Sequence, residues 1–185
     1  GLGASAAVLL AAFALQERHA RAPVLPLRLF REPVFSVASL VTVLAGMSMF
    51  AGIIYLPLYL QIVTGASASE AGVLVIPLMV GISAGAFATG RTVSLSGRYK
   101  PFPLVGLAVS AVIYTVLSRT GADTPHALLI ALMVVLGLGT GMVNPTMMVA
   151  VQNAAPGADL GTATSSISFF RSMGGSFGVA LVGAV

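Results

Sequence analysis

Ser48, Gly52, Tyr55 and Tyr59 fall at i, i+4, i+7 and i+11. On a helix that spacing holds them within about 60° of one another. Two phenols, a hydroxyl and a glycine form a polar-aromatic stripe on an otherwise apolar helix. Such a stripe suits a cavity that takes aromatic or amphipathic molecules by ring contact and hydrogen bonding. For Tyr59 a second reading stays open, because tyrosines also anchor membrane helices at the interface. Asn144 adds an amide that needs partners in apolar surroundings, and Arg171 adds a charge. An ionisable group inside an apolar helix faces the protein interior or a water path, or snorkels to the interface. Ser48, Tyr55, Tyr59, Asn144 and Arg171 are the candidate pathway-lining set.

The chemistry that is missing narrows the reading further. The chain has no cysteine, which removes disulfides, thiolate metal sites and cysteine nucleophiles. Glu70, Asp123, His126 and Asp159 all stand at the edges of apolar runs, never deep within one. Proton relays use buried carboxylates or histidines, so coupling to protons is expected to lie outside this segment. No metal cluster or nucleophile–base pair is apparent, and no cofactor is expected. The glycines of GLGTG at 137–141 sit within an apolar run rather than after a strand, which argues against a nucleotide site. An enzyme is not expected.

The elements that must position these residues are membrane helices. From Phe35 to Val185 only eight side chains are charged, and the whole chain is 57% hydrophobic and 8% charged. That leaves too little polar material to face water. A run of about 20 apolar residues crosses a hydrocarbon core, and five runs qualify: 35–61, 71–90, 102–118, 127–151 and 160–185. Residues 1–15 read as the end of a preceding span and 16–34 as a cytoplasmic loop. The expected fold is all-α, a polytopic transmembrane bundle of about five full spans. A start at Gly1 and a stop at Val185 inside an apolar run suggest a piece of a longer protein.

Loop charges orient the bundle. Arg18, Arg21, Arg28 and Arg31, then Arg91, Arg98 and Lys100, occupy alternate loops, against Arg119 alone on the opposite side. By the positive-inside rule, Arg98 faces the cytoplasm while Glu70 and Asp123 face outward. The net charge of +4 thus reports topology, and no nucleic-acid partner is expected. Eight arginines against one lysine, with abundant Ala, Gly, Val and Leu, suggest a bacterial source and a cell-membrane location.

Within the spans, Gly81 and Gly85, Gly137 and Gly141, and Gly174 and Gly178 are each four apart. Each pair offers one flat helix face for close packing, or a smooth surface for sliding. Pro57, Pro77 and Pro145 free the carbonyls of Ile53, Val73 and Gly141 and are candidate hinges or kinks.

These pieces, in order, resemble the major facilitator superfamily, specifically its fourteen-helix drug:proton antiporters of the EmrB/QacA type. The residues that carry the likeness begin with PLRLFR at 26–31, YLPLYLQ at 55–61 and GASASEAG at 65–72 leading into Ile76 and Pro77. GRYKP at 97–101, GLGTGMVNP at 137–145 with Gln152, and GTAT at 161–164 with Phe170, Arg171, Gly174 and Gly175 complete it. The resemblance implies most of a C-terminal six-helix half, helices nine to thirteen. Such proteins export small amphipathic or cationic substrates by alternating access, with proton coupling in the N-terminal half. The 90–100 stretch is similar to the superfamily's Gly-x-x-x-Asp-Arg-x-Gly-Arg loop, so Gly90, Gly97, Arg98 and Lys100 become candidates for a cytoplasmic gating loop. Ser94 and Leu95 stand where the Asp and Arg would be. Export of one endogenous metabolite, lipid or siderophore is an alternative, as is a structural or signalling role.

Overall fold

A computed structural model describes residues 27–65, 67–121, 124–155 and 157–184. The expected segment 1–15 and residues 16–26 of the 16–34 loop lie outside the described residues, as does Asp123. Five helices carry the fold: α1 Pro33–Thr64, α2 Ala68–Ser96, α3 Pro101–Leu117, α4 His126–Ala154 and α5 Leu160–Gly183. Short 3₁₀ turns, Leu27–Arg31 and Gly157–Asp159, precede α1 and α5. No strand occurs among the described residues.

Local chemistry sets the helix ends. Pro33 and Pro101 open α1 and α3, where a missing N–H costs nothing. Ser67 and Glu70 form a reciprocal capping box on α2: the Ser67 N–H donates to Glu70 Oε2 at 2.8 Å, and the Glu70 N–H donates to Ser67 Oγ at 3.3 Å. Gly97 ends α2 at φ 68°, a left-handed conformation that glycine adopts without strain, and its N–H donates to the Val93 carbonyl.

Among the described residues three helices are long and apolar enough to cross a membrane, over Pro33–Tyr59, Ser69–Ser96 and His126–Ala154. α3 is apolar but has 17 residues. α5 has the length, with 24 residues, but is rich in Ser and Thr and carries Arg171. Its hydroxyls are not left bare: Ser166, Ser172 and Ser176 donate to the carbonyls of Thr162, Ser168 and Ser172. Bonding back to the preceding turn satisfies such groups away from water.

The buried residues gather at the two ends of the bundle. One cluster joins Leu56, Leu78, Ile113 and Leu117 to Leu129, Met133 and Leu136 of α4. The other joins Phe35, Ala38 and Ala45 to Val143, Met147, Val151, Ile167 and Phe170. Between them α4 passes its glycine-rich stretch, and there the backbones approach. Gly81 sits against Val134 and Gly137, Gly85 against Leu138, and Gly141 against Ile82. Those contacts advance together along both chains, so α2 and α4 are parallel. α1 and α5 repeat the arrangement: Gly174 meets Val43 and Gly178 meets Met47. All three glycine pairs are therefore packing faces. α3 runs antiparallel to α4, with Gly106 and Gly139 abutting.

Candidate functional site

The Ser48–Tyr59 stripe of α1 faces inward, toward the seams with α3 and α5. Tyr55 Oη donates to the Val179 carbonyl of α5 at 2.7 Å. Tyr59 Oη donates to the Thr120 carbonyl at 2.6 Å and lies 2.9 Å from Thr120 Oγ1, in the loop after α3. Gly52 leaves the gap that Tyr114 of α3 fills: a Cβ there would lie 2.6 Å from Tyr114 Oη. That hydroxyl donates to the Ser48 carbonyl at 2.6 Å. Three phenols thus each donate to a backbone carbonyl on a different segment.

Around these rings lies a cavity of about 350 Å³, walled by Gly52, Tyr55, Leu56, Tyr59, Tyr114 and Val182 among others. That volume is at the lower end of small-molecule sites, roughly 300–1,000 Å³. Its hydroxyls are already engaged with the protein, so it offers ring faces and aliphatic surface. Its chemistry is contact with apolar or aromatic surface, without proton transfer. Tyr114 is the member that sequence reasoning missed. Its partner Gly52 is 62 positions away, and no pattern within either helix links the two.

The other candidates are not gathered here. Ser48 Oγ is buried with no hydrogen-bond partner. Asn144 is half-buried on α4, next to Val143 of the core cluster around Phe35 and Phe170 rather than on the tyrosine cavity. Arg171 is half-buried near the middle of α5, and its backbone rests on Gly46 of α1. Pro57, Pro77 and Pro145 lie inside unbroken helices.

Gly90 requires a correction. α2 continues six residues past it to Ser96, so Gly90 is a helix residue and not part of the loop. The stretch after Gly90 is polar yet stays helical, and within it the Thr92 and Ser96 hydroxyls donate to the Ala88 and Thr92 carbonyls. The connection proper is Gly97, Arg98, Tyr99 and Lys100, with both cations exposed. Lys100 and Tyr99 also edge an apolar groove of about 370 Å³ between Val37, Leu104 and Met147. Among the described residues no cluster of His, Cys, Asp and Glu is placed to hold a metal.

The sequence profile of the Major Facilitator Superfamily matches residues 1–179. The chain belongs to this superfamily. The bundle is accordingly an all-α facilitator fragment, from a family of transporters rather than enzymes. Across all 185 residues it is 40% identical to an uncharacterized MFS-type transporter of Mycobacterium tuberculosis, covering 27% of that protein. It is 34% identical, again over its full length, to the multidrug transporter protein MdtP of Bacillus subtilis, covering 34% of it. Over 162 residues, 88% of the chain, it is 33% identical to a tetracycline resistance determinant of Streptomyces rimosus, covering 47% of that protein. The chain therefore spans between about a quarter and a half of the length of these relatives.

Proposed function

We propose that this chain forms most of the C-terminal half of a multi-pass cell-membrane exporter of amphipathic compounds, working by proton-coupled antiport and alternating access. The observation that carries the reading is the tyrosine-walled cavity between α1, α3 and α5. Its apolar rings, with hydroxyls already satisfied, suit substrates that share amphipathic character more than a fixed hydrogen-bond pattern. Two relatives named for multidrug transport and tetracycline resistance support the same substrate class. Tyr55 and Tyr59 line the pathway at this cavity in this account, Ser48 supports it through the carbonyl that holds Tyr114, and Asn144 and Arg171 meet the pathway away from the cavity. Paired parallel helices with flat glycine seams supply the rigid bodies that rock about a midplane site. Pro57, Pro77 and Pro145 are the hinge positions. Arg98 and Lys100 hold one closed state on the cytoplasmic side by meeting acidic groups or helix C-terminal carbonyls of the other half.

The whole gene, expressed in a bacterial host stripped of its own drug pumps, tests this. Ethidium and tetracycline efflux should rise above the empty-vector level and collapse with a protonophore. Efflux equal to the vector control for both compounds would contradict the reading.

A further inference from the structure

Among the described residues, no carboxylate pairs with Arg171. It stands eleven residues into the 24-residue α5, roughly 16 Å along the helix from Leu160 at 1.5 Å per residue. Its backbone is pressed against Gly46, the fourteenth residue of α1, so neither helix end is close. Two positions earlier Phe169 is exposed, and two positions is about 200° around a helix. Arg171 thus turns away from that outer face, and it is half-buried.

The helices packed against α5 offer it nothing acidic. From Pro33 to Thr64, α1 contains no charged residue. In α4 the one titratable residue is His126, at the far end. Glu32 and Asp159 sit before the first turns of α1 and α5. Four residues before Val43, on the face of α1 that meets α5, Ser39 Oγ is buried without a partner. A guanidinium stays charged at any physiological pH. A charge at this depth faces the bundle interior or a water path, and it pairs there with an opposite charge or with backbone carbonyls. Its planar fork matches a carboxylate, with two parallel hydrogen bonds.

We propose that Arg171 is the seat of a carboxylate that the five described helices do not supply, borne by another segment of the whole transporter or by the transported molecule. The inference rests on the exporter reading above and names a recognition element for it. Its placement differs from that of the tyrosine cavity, whose polar atoms are already engaged.

The test uses the purified full-length transporter in proteoliposomes, with two rhodamines that differ in carrying a free carboxylate or its ester. Arg171→Gln should cut transport by about tenfold, the scale of a lost charge-assisted hydrogen bond. Loss for both dyes places the carboxylate on the protein, and loss for the free acid alone places it on the cargo. Wild-type transport of both, or loss of the ester alone, overturns the proposal. If the wild type moves neither dye, the exporter reading fails for this class, and thermal unfolding then decides on Arg171. Each intramembrane Asp or Glu of the whole protein is changed to its amide, alone and together with Arg171→Gln. One acid whose effect disappears in the Gln background, or stabilisation of the wild type by the free-acid dye beyond its ester, supports the seat. Additivity at every acid with no such stabilisation overturns it. Should Arg171→Gln not accumulate, the equally uncharged Arg171→Met takes its place in the same cycles, with the same two outcomes deciding.

Discussion

Tyr114 Oη donates to the Ser48 carbonyl across 2.6 Å while standing over Gly52, where a Cβ would lie 2.6 Å from the same oxygen. One hydroxyl therefore ties α3 to α1 and also forbids a side chain at position 52. Removing it should separate the two effects. Gly52→Ala alone should lower the unfolding temperature of the full-length protein. Tyr114→Phe alone should cost only about 0.6 kcal/mol, the average for a hydrogen bond between membrane helices. The double variant should be less destabilised than the sum, because the ring carbon behind the oxygen is at 3.7 Å from the added methyl position. Strict additivity would show that the contact does not govern Gly52.

Glycine seams should fail differently from the cavity. Gly174 lies against Val43 backbone and Gly178 against Met47 backbone, so nothing flexible can yield to a larger residue. Gly174→Leu should reduce folded protein in the membrane and scale down export of every compound alike. Normal amounts of folded Gly174→Leu protein would remove the packing role.

The orientation of the bundle is open to direct chemistry. Arg98 follows α2 and Glu70 opens it, so the two lie at opposite ends of one helix. Cysteine at 70 should react with an impermeant thiol reagent on intact cells and cysteine at 98 should not. The reverse pattern would invert the topology.

Helix content and glycine packing were legible because both are local. Pairs four apart share a face whatever the rest of the chain does, and Gly81, Gly85, Gly137 and Gly141 all met backbone. The end of α2 was not legible at Gly90. Polarity marks where a helix leaves an apolar environment, whereas the backbone decides where it stops, and the left-handed Gly97 with its N–H on the Val93 carbonyl ends α2 only there. The stripe on α1 was visible as a period of 3.6. Its partners Tyr114, Thr120 and Val179 are 61 to 124 positions away, and no single-helix pattern points to them. Asn144 was grouped with the stripe on polarity alone, and the packing of α4 puts it elsewhere.

The short loop is a further target. Arg98 and Lys100 are exposed, and among the described residues no ion pair engages either. Replacing both with Gln should leave the protein in the membrane and slow efflux several-fold. Transport at the wild-type rate would reduce these residues to a topology signal.

The central claim, that the tyrosine-walled cavity is part of the export pathway, is tested most directly by substrate profile. Efflux of ethidium, tetracycline and a neutral aromatic dye is measured for the full-length wild type and Tyr55→Ala, each normalised to folded protein in the membrane. Removing the Tyr55 ring takes one wall from the cavity and its tie to Val179, so the ratios among the three compounds should change. If Tyr55→Ala lowers all three in equal proportion, or leaves them unaltered, the cavity does not contact substrate.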